Sequence, residues 1–593
     1  MSSSLVRALA FVRRYRGTAV LAVGAVLLAS AADLVSPQLL RQLIDVGIQK
    51  QDFSVILRDS VLLVAVAIFG GLASFVQGYL SARVSHGAAF EMRNVIFDKL
   101  QDLSFSWHDR AQTGQLITRV TSDVDLVRDF VGGGLVQAVS AVLLLVGAVV
   151  VLLMMNVTLA LVSFLVVPAT VTVLLLFVRK LGPMFRENQQ RLGALNTVLQ
   201  ENVSGVRVVR AFARERFEEE RYDVANRSLL EQGLVVRRTV ANAFPLLFSV
   251  GSIGVAVVSV VGAVMIVQGT MQVGELVAFT SYLFLLLGPL FTLGFGAQAI
   301  AQAGASADRL FEILDAPNDV AEKPDATALP TITGGVEFDD VSLRYPGAEH
   351  ETLSGISLVI EPETTVAIVG ATGSGKTSLV NLVPRFYDAT EGSVRIDGTD
   401  VRDVTLSSLR SQIGIVMQES VLFSGSVREN IAYGRPDAEL DDVIAAARAA
   451  QADEFVQSLP DRYDTRVGER GVKLSGGQRQ RIAIARALLI DPRVLIMDDA
   501  TSSVDSATEA ALRTQLDSLM EGRTSLVIAQ RLSTARRADL VVVVEGGRVV
   551  ATGTHEQLLE TNCLYAEIAA SQLVGGESID ASPACELDEE GDA

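Results

Sequence analysis

Only two cysteines occur in the 593 residues, Cys563 and Cys585, and they form no CxxC pair and have no histidine nearby. That spacing argues against a disulfide framework or a zinc site, and both are read as ordinary residues. Basic residues are outnumbered, 50 Lys and Arg against 68 Asp and Glu, for a net charge of −18. A nucleic-acid partner is thereby disfavoured, because a phosphate backbone attracts cations. Four arginines precede the first apolar run within residues 1–16, yet no small-residue cleavage site ends that run. It is read as a retained span and not as a signal peptide. The tail after Gln572 has no basic residue and carries seven acids, including Glu586, Asp588, Glu589 and Glu590, as expected of a solvated, disordered end.

What the chain has in quantity is apolar sequence. Its mean hydropathy is +0.38 with 49% hydrophobic residues, although 20% of residues are charged. Such a mixture predicts an oily portion joined to a water-soluble one, and the length alone calls for at least two domains. Residues 17–40 are apolar apart from Asp33, residues 60–82 carry no charge, and neither do residues 131–178, with Asn156 near the middle. Residues 239–274 and 276–307 add two runs separated only by Glu275. A span needs ~20 apolar residues, so about six membrane helices are expected over 17–307.

The connecting segments alternate. Those at Asn156 and Glu275 are short and lack Lys and Arg, whereas 83–130 and 179–238 are long and rich in arginine, as at Arg93, Arg119, Arg191 and Arg210. Positive charge favours the cytoplasmic face, which puts both long loops, residues 1–16 and everything after the last span on the cytosolic side of a cell membrane. Asp33 either faces a bundle interior or wet cavity or, the preferred reading, lies near the outer mouth or pairs with a neighbouring helix. Phe244, Phe248, Phe279, Tyr282, Phe284, Phe291 and Phe295 either line a path for an apolar substrate or, the default for aromatics in apolar helices, face lipid or pack.

A polar, proline-bearing linker over 308–335 leads into residues 336–572, where short β-rich runs alternate with helical ones, the pattern of an α/β domain with a largely parallel sheet. Within it, Gly370-Ala371-Thr372-Gly373-Ser374-Gly375-Lys376-Thr377 follows an apolar strand and matches the P-loop pattern. Glycines there let amides turn towards phosphates, Lys376 reaches the β/γ-phosphates and Thr377 ligates Mg²⁺. Asp498, ending the apolar run Val494–Met497, supplies the second metal group. A second glycine-bearing helix start, Leu474-Ser475-Gly476-Gly477-Gln478, offers another set of amides and a hydroxyl. One ATP rarely needs two such starts from one domain, so this one is expected to serve an ATP held by a partner chain.

These motifs, in this order, resemble those of ATP-binding cassette (ABC) transporters, and the resemblance covers nearly the whole chain apart from the acidic tail. It implies an all-α membrane domain followed by an α/β P-loop domain, the exporter arrangement, using ATP and Mg²⁺. It further implies that Tyr345 stacks on adenine, that Gln418 is the Q-loop residue touching Mg²⁺ and its water, and that Asp505 lies in the D-loop at a dimer interface. Residues 467–471, 107–116 and 202–210 resemble the segments by which exporters couple cassette and membrane domain. Two positions depart from the pattern. Hydrolytic cassettes place Glu after the metal-binding Asp and His after the next strand, and here these are Asp499 and Gln530. Such a pair resembles the degenerate-site subunit of heterodimeric exporters. The expectation is a half-transporter with a slow ATP site of its own, a non-identical partner subunit, a surrounding lipid bilayer and a small amphipathic or drug-like substrate. A homodimer with slow hydrolysis, a non-hydrolysing regulatory subunit and an importer on the same fold stay open beside it.

Overall fold

The computed structural model describes residues 3–418, 420–468, 473–498, 520–529 and 532–572, apart from the side chains of 165–167, 170, 174, 178, 243, 244, 247, 287, 294, 295, 297, 571 and 572. The chain divides into two compact units, residues 1–101 with 113–316, and residues 102–112 with 317–593.

The first unit is helical throughout. Its long helices run over Arg16–Gln42 (continued by a π-helical turn to Ile48), Phe53–Asp102, Leu135–Met155, Val157–Ser204, Glu215–Val267 and Val273–Leu314. Among the described residues, five helical stretches are long and apolar enough to cross a membrane. Val157–Ser204 is the sixth long helix, and its uncharged run 157–178 is the one expected from sequence to span. At 1.5 Å per residue, the 53 residues of Glu215–Val267 extend ~80 Å, more than twice a ~30 Å hydrocarbon core. The arginine-rich segments 83–130 and 179–238 are therefore mostly continuations of the helices beyond the membrane and only briefly loops. Asn156 makes the tight turn between two helices by capping the second, its Oδ1 accepting from Leu159 N at 3.0 Å.

Phe279 and Tyr282 are wholly buried with Leu152, Leu159 and Val258 in one apolar cluster, and the Tyr282 hydroxyl donates to the Leu34 carbonyl. These two aromatics are packing residues of the unit, whereas Phe248 and Phe284 are exposed. The side chains of Phe244 and Phe295 lie outside the described residues. Asp45 is buried near the end of the first long helix, accepts from Gly274 N at 2.6 Å and lies 3.8 Å from Arg41.

The second unit is an α/β domain. Its strands are β1 (Val336–Leu343), β2 (Leu353–Ile360), β3 (Thr365–Val369), β4 (Glu391–Ile396), β5 (Thr399–Asp400), β6 (Ile413–Val416), β7 (Gly425–Ser426), β8 (Arg466–Val467), β9 (Val494–Asp498), β10 (Thr524–Ile528), β11 (Leu540–Glu545) and β12 (Arg548–Gly553). Six of them form one sheet in the order β12-β11-β3-β10-β9-β6, parallel except for the β11–β12 hairpin. An antiparallel sheet, β2-β1-β4-β5, packs with it in a shared core containing Val336, Ile356, Val366 and Ile496. The central strands are nearly continuous apolar runs because both faces of a parallel sheet are covered: all five residues of β10 and the first four of β9 are buried.

The linker is tied to this unit by Asp397, whose carboxylate accepts from the backbone N–H groups of Gly334 and Gly335 and from both the N–H and hydroxyl of Thr333. One correction concerns the thiols: Cys563, read from sequence as ordinary, is disulfide-bonded. Cys585 lies outside the described residues.

Candidate nucleotide site

Parallel α/β sheets bind ligands beyond the carboxyl ends of their strands, and here three such ends are level. Ile528 of β10 pairs with both Ile368 of β3 and Asp498 of β9. The P-loop follows β3 directly and opens the helix Lys376–Leu382. A cavity of about 570 Å³ lies there, lined by Gly370, Ala371, Thr372, Gly373, Gly375, Lys376 and Thr377, together with Gln418 after β6 and Asp498 at the end of β9. The volume is in the range of small-molecule sites.

The glycines at the loop's ends are required by close approach. A Cβ on Gly370 would sit 2.1 Å from the Val544 carbonyl oxygen. Gly375, at φ +104°, would push a Cβ to 2.7 Å from Leu353. With those side chains absent, the loop folds tightly enough for Lys376 Nζ to donate to the carbonyls of Gly370 (2.9 Å) and Ala371 (2.7 Å). Burial lowers the pKa of this ammonium from its ordinary value, while nearby Asp498 opposes the shift. The cation is thus held over the loop by weak acceptors that a phosphate outcompetes.

Thr377 Oγ1 donates to Asp498 Oδ2 at 3.2 Å, so the two expected metal groups are adjacent. Ser374 Oγ is buried without a hydrogen-bond partner among the described residues. An orphaned hydroxyl in a glycine cradle beside a lysine, with a hydroxyl–carboxylate pair alongside, fits a phosphate chain and a hard divalent cation such as Mg²⁺.

Six lining residues, Thr352, Val369, Ser378, Ile528, Ala529 and Ile568, were not anticipated as site residues. Thr352 precedes β2 and Ile568 lies on the helix Cys563–Gln572; no local motif marks either one. Tyr345 is not in the lining. Its hydroxyl donates to Ser378 Oγ at 2.9 Å, and its ring meets Tyr387 edge-on at 5.0 Å. Ser475, Gly476, Gly477 and Gln478 are also away from the cavity lining, at the start of the helix Gly476–Leu489. Ser475 caps that helix reciprocally with Gln478, its Oγ accepting from Gln478 N at 3.2 Å and its N–H donating to Gln478 Oε1 at 2.9 Å. The structure therefore groups the P-loop with Gln418 and Asp498 and leaves the signature helix separate from them. Asp499, Asp505 and Gln530 lie outside the described residues, as do Glu469, Arg470 and Gly471.

Residues 20–290 match the family described as ABC transporter transmembrane region, and residues 353–502 match ABC transporter. A protein of Bacillus subtilis called an uncharacterized ABC transporter ATP-binding protein, YknU, is 38% identical over 93% of this chain and 95% of its own length. An ATP-dependent lipid A-core flippase of Thiobacillus denitrificans is also 38% identical, over 95% and 98%. Among solved structures, a bacterial Atm1-family ABC exporter with ATP bound superimposes with a TM-score of 0.80 at 31% identity, covering 95% of this chain and 99% of that one. With the P-loop cavity, the helical unit and these relatives in agreement, the chain belongs to the ABC transporters as an exporter-type half-transporter, binding ATP with Mg²⁺ and hydrolysing it to drive transport.

Proposed function

We propose that this chain exports an amphipathic, lipid-like or drug-like molecule as one half of a two-chain pump and holds the slower of that pump's two ATP sites. The observation that carries the proposal is in the sequence: Asp499 and Gln530 stand where hydrolytic cassettes place Glu and His. Asp is a methylene shorter, withdrawing its carboxylate by ~1 Å, and misplacement on that scale can cost ~10²-fold in rate. Gln can donate a hydrogen bond to a phosphate oxygen but carries no proton to give and no positive charge.

The roles divide as follows. Lys376 leaves the Gly370 and Ala371 carbonyls for phosphate oxygens, and the Ser374 hydroxyl gains the partner it lacks. Thr377 and Asp498 would hold Mg²⁺ with help from Gln418, and the cation would neutralise charge developing on the phosphates. Ser475 to Gln478, away from this cavity, are free to face the nucleotide of a second chain. An intact signature motif favours this arrangement over a regulatory subunit that completes no catalytic site. The arginine-rich continuations of the helices support a cytosolic cassette, and the lipid A-core flippase relative supports an amphipathic substrate.

ATPase assays on the purified full chain test the proposal. Slow hydrolysis by the chain alone, partly recovered by Asp499→Glu and further by adding Gln530→His, supports a slow site. Brisk, transport-coupled hydrolysis by the unmodified chain alone means instead a competent homodimer.

A further inference from the structure

Tyr345 is the residue expected to stack on adenine, yet its ring does not reach the cavity wall. Its hydroxyl is bound to Ser378 Oγ, and Ser378 itself lines the cavity. The other side of the arrangement is Tyr387, which meets Tyr345 edge-on (5.0 Å between ring centroids, 88° between planes). Tyr387 is in turn fixed by its own hydroxyl, which donates to Asp109 Oδ2 at 2.5 Å. Asp109 lies on the short helix Phe105–Arg110, which belongs to the second unit and is anchored there independently, Phe105 stacking on Phe386 at 4.3 Å. Burial, and then Asp109, raise the Tyr387 hydroxyl above the ordinary phenol range, so it remains a donor across the physiological range.

We propose that Tyr387 is a positioning residue for the adenine-binding aromatic: held by Asp109, it keeps Tyr345 parked on Ser378, and ATP reaches full affinity only when Tyr345 leaves for the adenine face. The proposal rests on the reading of Tyr345 as the adenine partner. Each contact that stabilises the parked ring is subtracted from the free energy of docking it, in the way that any under-populated competent state weakens apparent affinity. By linkage, the effect is reciprocal. A base drawing Tyr345 away removes an aromatic neighbour from Tyr387, so the segment Phe105–Arg110 responds to adenine itself as well as to phosphate.

The test compares equilibrium binding of Mg-ATP and of Mg-tripolyphosphate, which has no base, to the full-length transporter in nanodiscs. Ser378→Ala should tighten ATP by roughly 3- to 10-fold more than it changes tripolyphosphate, the worth of one hydrogen bond. Asp109→Ala and Tyr387→Phe should each tighten ATP by about 2- to 3-fold, and the double variant no further, because both remove the same bond. Tyr345→Ala should weaken ATP alone and abolish the Asp109→Ala effect. If Tyr345→Ala weakens ATP while Ser378→Ala, Asp109→Ala and Tyr387→Phe do nothing, the parking role is overturned and the adenine reading stands. An equal shift of both ligands by Ser378→Ala also overturns it, since that is an effect on the P-loop helix alone. Unchanged ATP affinity in Tyr345→Ala overturns the adenine reading and the proposal with it.

Discussion

Thr377 and Asp498 are 121 positions apart in the chain and share a hydrogen bond of 3.2 Å, Oγ1 to Oδ2. One comes from the first turn of the P-loop helix and the other from the end of β9, two elements that the parallel sheet sets beside each other. An oxygen pair of this kind, next to a phosphate cradle, is a cation site in waiting.

Thr377→Val keeps the shape of the side chain and removes its oxygen. The Mg²⁺ dependence of ATP binding, measured by calorimetry with and without chelator, should weaken by roughly 10- to 100-fold, as when a metal's supporting group is lost. Asp498→Asn should do at least as much. Binding of metal-free ATP should change little in either variant.

Gly370→Ala tests the cradle. Its Cβ would approach the Val544 carbonyl oxygen to 2.1 Å, and both groups are backbone, so neither can swing away. A destabilisation of ~1–3 kcal/mol is expected from the overpacking, with ATP binding reduced below detection. Gly373→Ala is the control, because no atom lies within 4 Å of its Cβ; only its φ of +84° opposes the change. It should bind ATP measurably.

His555 gives the cassette a pH signature. The ring is buried, and its Nδ1 is 2.7 Å from Tyr565 Oη. Burial lowers the imidazole pKa, Glu556 raises it and Arg536 lowers it. In the unfolded chain the ring takes up a proton as pH falls through about 6.5, whereas the folded ring resists until a lower pH. Within that window the unfolded state binds more protons, so stability decreases as pH falls. Thermal midpoints of the full chain should drop further between pH 7.5 and 5.5 than those of His555→Gln, by about 2–4 °C for each kcal/mol involved. Equal slopes for the two proteins would rule out His555 as the source.

The two phosphate-facing helix starts should respond differently when the chain is studied with a partner that brings Glu and His. Lys376→Ala should weaken nucleotide binding at this chain's own site and spare some turnover. Gly477→Asp should abolish most turnover, because it adds a carboxylate where the partner's γ-phosphate is expected, in a desolvated setting. The reverse pattern would exchange the two site assignments.

The fold class was legible because its signals are local. Uncharged runs such as 60–82 announce membrane helices, and Val494–Met497 announces a buried parallel strand with the site at its end. The P-loop was legible for the same reason, since eight consecutive residues carry its geometry. Thr352 and Ile568 were not, because nothing in their neighbourhoods says which distant loop or helix closes over a cavity. Tyr345 shows the same limit within one side chain. Its position in the sequence nominates it, but its rotamer is set by Ser378 and Tyr387, 33 and 42 residues further on. The helical character of 83–130 and 179–238 was missed because arginine content reports which side of a membrane a segment favours and not whether its backbone stays helical.

The level ends of β3, β9 and β10 decide where this chain can change length. Pairing runs without a break from Ser525↔Thr365 to Ile528↔Ile368 on one flank of β10, and from Thr524↔Val494 to Ile528↔Asp498 on the other. Residues inserted between these strands enlarge a connection and leave every pair as it was, at a cost that grows only with the logarithm of loop length. Deleting one residue inside β9, by contrast, turns each later side chain to the opposite face and carries Asp498 out of its row. Natural variation in chain length should therefore collect in the parts of these connections that lie away from the P-loop and from the residues directly after β9 and β10, so that the gaps in a catalogue of tolerated insertions would trace the edge of the nucleotide site without any ligand being bound.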